Sequence, residues 1–158
     1  SRNMMTEAAR IARGKIRDLA QVKAEELDAL MLPGGFGAAK NLCDFAVKGK
    51  DCEVHPEVTR LVREVHAQKK PVAAVCIAPA VLAKVLGSEA PRLTIGNDRG
   101  TASALEAMGA QHVDCPVREM VVDQERKIIS SPAYMLATRI SEAADGIEKT
   151  VKALIEMA

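Results

Sequence analysis

Residues Val72 to Val75 are all apolar, and the chain runs from them through Cys76 directly into Ile77-Ala78-Pro79 and a helical pattern. This junction constrains the fold more than any other feature. A short apolar run without polar alternation reads as a strand buried on both faces, and such strands belong to parallel sheets covered by helices. A second run, Ala29-Leu30-Met31-Leu32, is stopped by Pro33-Gly34-Gly35. It reads as another buried strand, ending in a glycine loop.

Helical patterns alternate with these runs. Pro56 to Lys69 places Val58, Leu61, Val62 and Val65 at i, i+3, i+4 and i+7, with Pro56 in the first turn. Met4 to Arg13 reads as a helix capped by Asn3 and closed by Gly14, and Ala78 to Leu86 as one ended by Gly87. A third strand is expected at Arg92–Ile95, then a short helix capped by Thr101, then a strand from His112-Val113. Met120–Val122 and Lys127–Ile129 read as a hairpin. The last helix is expected from about Ala137 to the end, with Ile147, Val151, Leu154 and Ile155 as its apolar stripe and a break at Gly146. The expected fold is α/β: one flavodoxin-like, doubly wound domain with a mostly parallel sheet and helices on both faces. Its ligand site lies at the carboxyl ends of the strands.

Composition excludes several function classes. The 158 residues suit one domain, and 48% apolar with 27% charged residues is a globular balance. Lys plus Arg is 22 and Asp plus Glu is 21, which lacks the excess of a nucleic-acid binder. Phe36, Phe45 and Tyr134 are the only aromatics, too few for base stacking or a membrane belt. The longest apolar stretch is twelve residues, Val72 to Ala83, interrupted by Pro79 and short of a membrane span. Cys43, Cys52, Cys76 and Cys115 form no CxxC pair and do not cluster with His55, His66 or His112. No disulfide framework, metal site or cofactor is expected. A reducing compartment is: the cytoplasm or, in a eukaryote, the mitochondrion.

Cys76 carries the strongest chemical signal. A nucleophile elbow needs small residues two before and two after the nucleophile, and Ala74 and Ala78 meet that demand. The following helix N-terminus favours the thiolate. The bland alternative is a buried core cysteine at a strand end. Gly34 and Gly35 can turn backbone N–H groups toward a ligand, and with the Ile77 N–H they would form an oxyanion hole. The alternative there is an ordinary tight turn, since the segment fits neither GxxxxGK[ST] nor GxGxxG. His55 reads as a cap and His66 as exposed. No His follows Cys76, although the fold is able to bring His112 near. Cys43, Cys52 and Cys115 read as packing or surface thiols. Tyr134, after Ser130-Ser131-Pro132, is placed to line the same edge.

The segments from Leu32 to Leu42 (LPGGFGAAKNL), Val75-Cys76-Ile77-Ala78-Pro79-Ala80, Ser130 to Met135 and Ser1 to Arg13 resemble the ElbB-type glyoxalase-like proteins. These have a class I glutamine-amidotransferase-like domain, and more distantly the chain is similar to the PfpI and Parkinson-linked deglycase superfamily. The resemblance covers essentially the whole chain. It implies a cofactor-free enzyme that converts glyoxal to glycolate through a hemithioacetal on Cys76, with Asn41 and Tyr134 in the pocket, and a homodimer. It does not extend to peptidase activity, because the His that follows the cysteine in protease-like members is Ile77 here. Family members open with a strand–helix–strand unit that supplies an acidic residue beside the cysteine. This chain enters its first helix at once, so the domain over 1–158 is expected to lack that unit. The alternative function is a non-catalytic thiol-based stress sensor or a metabolic regulator associated with isoprenoid biosynthesis.

Overall fold

The computed structural model describes residues 2–158; Ser1, the first residue of one segment carrying the resemblance, lies outside them. The elements run α1 Met4–Ile11, β1 Leu30–Leu32, α2 Phe45–Lys48, α3 Pro56–Ala67, β2 Val72–Val75, α4 Pro79–Leu86, β3 Arg92–Leu93, α5 Arg99–Ala107, β4 Gln111–His112, β5 Val121–Asp123, β6 Ile128–Ser131 and α6 Ile140–Met157. The main sheet has the order β1-β2-β6-β5. β1, β2 and β6 are parallel, in register Leu30↔Val72 and Val72↔Ile128. β5 closes one edge antiparallel to β6, as the expected hairpin. β3 and β4 form a separate two-stranded parallel sheet. The fold is therefore the expected flavodoxin-like α/β arrangement, with a mixed sheet.

Burial explains the elements. Every residue of β2 and β6 is buried, as the unbroken apolar run of β2 demands, although β6 carries two buried serines, Ser130 and Ser131. α3 turns Val58, Leu61, Val62 and Val65 into the core, and α4 buries seven of its eight residues. Together with β3 and the first turns of the chain they build the main apolar cluster on one face of the sheet. α6 covers the opposite face, where Ala73, Ile129 and Leu154 form a small buried apolar cluster. α3 begins as expected, with His55 Nδ1 accepting from the Glu57 N–H at 3.2 Å.

Several local expectations are corrected. Gly146 does not break the last helix, which is continuous from Ile140 to Met157 and is preceded by a short 3₁₀ turn at Ala133–Met135. Its buried line is Ala143, Gly146, Thr150 and Leu154 rather than the Ile147, Val151, Leu154, Ile155 stripe; Ile155 is exposed. Gly146 lies on the buried side because α6 packs close there: a Cβ at 146 would meet the Val117 oxygen at 2.7 Å and Ser131 Oγ at 2.8 Å. α5 is capped by Asp98, whose carboxylate accepts from the Thr101 N–H at 2.8 Å, so Thr101 is the donor and not the cap. The strand at Arg92–Ile95 is shorter than expected. Thr94 N–H goes to Ser130 Oγ at 2.9 Å and Ile95 N–H to His112 Nε2 at 3.3 Å, which replaces ladder bonds by side chains. α1 has the expected Asn3 cap but buries none of its residues. His66 is not free on the surface: it is largely buried and pairs with Glu89 at 2.8 Å.

Candidate functional site

Cys76 stands between β2 and α4 with φ +61°. A left-handed backbone costs a residue with a side chain roughly 1–2 kcal/mol, so neighbouring structure must hold it. Two contacts do so. The Cys76 N–H donates to the Ser131 carbonyl at 3.0 Å, one step beyond the last β2–β6 register pair, Val75↔Ser131. From the other side Gly34 presses in. A Cβ on Gly34 would lie 2.6 Å from Cys76 Cβ, 2.7 Å from the Val75 oxygen and 3.0 Å from Ile77 N. Both the glycine loop after β1 and the elbow after β2 thus reach the same carboxyl-end edge, because β1 and β2 are parallel neighbours.

The expected site residues divide in three. Cys76, Gly34, Gly35 and Ile77 come together. Gly35 takes φ +88°, and its carbonyl accepts from the Ala38 and Ala39 N–H groups at 3.1 and 3.3 Å. Among the described residues neither the Gly35 nor the Ile77 N–H donates to a backbone carbonyl. Gly34 acts by its missing Cβ. Asn41 and Tyr134 form the second group and are exposed. Phe36, on the same loop as Asn41, is 76% exposed, with Lys40 Nζ 5.3 Å from its ring centroid. His112 is the third case. Its ring is buried and committed to the Ile95 N–H, and Asp114 stands 3.7 Å from Nδ1. Burial lowers its pKa below the ordinary histidine value. The Cys76 N–H donates to the Ser131 carbonyl, and among the described residues no side chain is hydrogen-bonded to its thiol.

The other thiols differ in kind. Cys43, Cys52 and Cys115 are buried, whereas Cys76 is part-exposed. Burial pushes the Cys43 thiol up, and those of Cys52 and Cys115 to about 11. Thiolates there are suppressed.

A cleft of about 970 Å³ lies elsewhere, against Arg63, His66, Lys69, Glu89, Arg126 and Lys127. These residues sit at the carboxyl ends of α3 and α4 and on the β5–β6 turn, opposite the Cys76 edge. Basic side chains at helix carboxyl ends complement the helix dipole, and Glu89 is engaged by His66. This cleft therefore has a structural explanation and no link to the thiol.

Sequence reasoning gave Ser131 no role of its own and read Gly146 as a helix break. Ser131 is fully buried and its Oγ has no partner among the described residues, which costs about 1–3 kcal/mol. A glycine inside an otherwise regular amphipathic helix was the available signal for Gly146, since it costs about 1 kcal/mol against Ala and asks for a packing reason.

A doubly wound α/β domain with a left-handed cysteine at a strand–helix elbow is of the class I glutamine amidotransferase-like kind. Within that class the chain belongs to the DJ-1/PfpI family, whose model matches residues 15–139. It is 46% identical over 166 residues to the rat protein described as "ES1 protein homolog, mitochondrial", covering 99% of this chain and 62% of the relative. It is also 46% identical to human "Glutamine amidotransferase-like class 1 domain-containing protein 3, mitochondrial", over 99% of this chain and 61% of that one. The chain thus spans about three fifths of these curated relatives. Both carry in their names the compartment held as the alternative above. Among solved structures it is similar to an isoprenoid biosynthesis protein with an amidotransferase-like domain from Ehrlichia chaffeensis. There the identity is 37%, the TM-score 0.88, and the cover 99% of this chain and 72% of the other.

Proposed function

We propose that this chain carries the nucleophile and oxyanion hole of a cofactor-independent, ElbB-type glyoxalase-like enzyme acting on small α-oxoaldehydes. The observation that carries the reading is the left-handed Cys76 packed on Gly34, beside two N–H groups without backbone acceptors. The family includes deglycases and stress-responsive proteins, which fits a reactive thiol. The Cys76 thiolate adds to one aldehyde carbon of glyoxal, forming a C–S bond. The carbonyl electrons move to oxygen, where Gly35 and Ile77 N–H groups stabilise the charge. A base takes the carbon-bound proton of the hemithioacetal and returns it to the neighbouring carbon through an enediol, leaving a glycolyl thioester. Water cleaves the thioester to glycolate and frees the thiol. No external oxidant or reductant enters. We assign the base to a carboxylate outside residues 1–158, in the part of the relatives that this chain does not span. Family proteins are often dimers, and a homodimer is proposed here too, as is a mitochondrial location by analogy with the named relatives.

Glyoxal consumption and glycolate release by the protein and by Cys76→Ser test this. Glycolate formation lost in Cys76→Ser and kept in Cys115→Ser supports the reading; equal rates in both end it. A second reading is a thiol sensor, favoured by the absence of an acid–base partner at Cys76 among the described residues. Reversible Cys76 oxidation without any glyoxal turnover selects it.

A further inference from the structure

Cys76 is held from two sides, and only one of them is the familiar loop. On the far side its N–H hangs on the Ser131 carbonyl at 3.0 Å. Ser131 is fully buried, so its position is set by what packs behind it. That is Gly146, in the middle of α6. A Cβ on Gly146 would stand 2.8 Å from Ser131 Oγ, 2.7 Å from the Val117 oxygen and 3.5 Å from the Glu119 oxygen. The helix has come as near to the end of β6 as a backbone without a side chain permits. Within α6, Thr150 Oγ1 donates to the Gly146 carbonyl at 2.8 Å, and Thr150 is itself fully buried.

We propose that Gly146 is a positioning residue for the elbow. Through Ser131 it sets where the Cys76–Ile77 elbow stands relative to the Gly35 N–H, while Gly34 fixes the opposite side. Two glycines that do not touch each other thus clamp one strained residue, one directly and one through the β6 carbonyl. A side chain at 146 pushes Ser131 and carries the Cys76 N–H with it. This rests on Cys76 being the reactive thiol, but it is tested by a readout that does not need aldehyde turnover.

The probe is iodoacetamide. Its rate with Cys76 is followed by peptide mass mapping across pH for the wild type, Gly146→Ala and Leu154→Ala. Leu154 lies on the same helix and packs on Ala73 and Ile129, away from Ser131. Leu154→Ala therefore loosens α6 without touching the elbow, and should lower the thermal midpoint while leaving the Cys76 rate–pH profile in place. Gly146→Ala should lower the Cys76 rate by up to about tenfold, as the thiol shifts from the α4 N-terminus that favours the thiolate, and displace the profile. Should Gly146→Ala not fold, Ser131→Thr adds one methyl at the same contact and is read in the same way. A Gly146→Ala or Ser131→Thr protein with the wild-type profile overturns the proposal. If instead the wild-type Cys76 reacts no faster than Cys43, the reading of the site fails, and the positioning role with it.

Discussion

At the scale of single residues the site is a strained backbone held by two absent side chains. Cys76 at φ +61° is a conformation that glycine adopts without penalty. Cys76→Gly should therefore recover about 1–2 kcal/mol of strain, less about 0.5–1 kcal/mol of added backbone entropy, for a small net rise in unfolding free energy, while removing the reactive group. Urea unfolding measures this, and a loss of stability would show that the thiol, not the backbone, is the stabilising part. Gly34→Ala should do the reverse. Its Cβ has 2.6 Å to Cys76 Cβ and 2.7 Å to the Val75 oxygen, and overpacking of that kind costs about 1–3 kcal/mol. The same environment decides which thiol oxidises. Cys52 and Cys115, pushed up to about 11 by burial, are poor targets. Mild peroxide followed by peptide mapping should find sulfenic acid on Cys76 first; prior oxidation of Cys115 contradicts the argument.

At the scale of elements, the sequence displayed what burial writes into composition and concealed what side chains negotiate in space. β1, β2, α3, α4 and the β5–β6 hairpin were legible because their apolar residues follow the period of the element. The elbow was legible from Ala74 and Ala78 flanking Cys76. The split between the two sheets was not. It depends on Ser130 Oγ, His112 Nε2 and Asp123 Oδ2 standing in for strand carbonyls toward Thr94, Ile95 and Arg92, at 2.9, 3.3 and 2.9 Å. No local pattern announces that a serine will serve as a ladder acceptor. This seam has a pH consequence. His112 must be neutral to accept from the Ile95 N–H. Burial depresses its pKa; Asp114 and Glu106 oppose that shift and Arg99 reinforces it. The unfolded chain then takes up the proton first, near pH 6.5. The contribution is complete above that pH and is lost as pH falls toward the lower folded value. His112→Gln, which keeps an acceptor and does not titrate, should flatten the stability curve between pH 7 and pH 5. A curve of unchanged slope would remove His112 from the account.

At the scale of the whole molecule, the two faces of the main sheet are covered unequally. Among the described residues, the apolar cluster under α3 and α4 holds twenty-one buried residues and the one under α6 holds three, with Ala29, Met31, Met120 and Val122 only partly covered. β1 is also the outermost strand of the order β1-β2-β6-β5 and pairs on one side. Any further strand joining this side of the sheet would add outside β1, because β1, β2 and β6 are already adjacent. The Leu30 N–H donates to the Pro71 carbonyl at 3.0 Å. Strand alternation then turns the Met31 N–H toward the open edge. Such an edge, with a half-covered methionine beside it, invites another strand. Two outcomes follow for the 158-residue chain. Hydrogen exchange should show a protected Leu30 amide and a fast Met31 amide, and the chain should self-associate as its concentration rises. Met31→Lys, which places a charge on that edge, should suppress the association without moving the Cys76 alkylation rate. A Met31 amide as slow as that of Leu30, or association insensitive to Met31→Lys, would mean that β1 is not an open edge in solution.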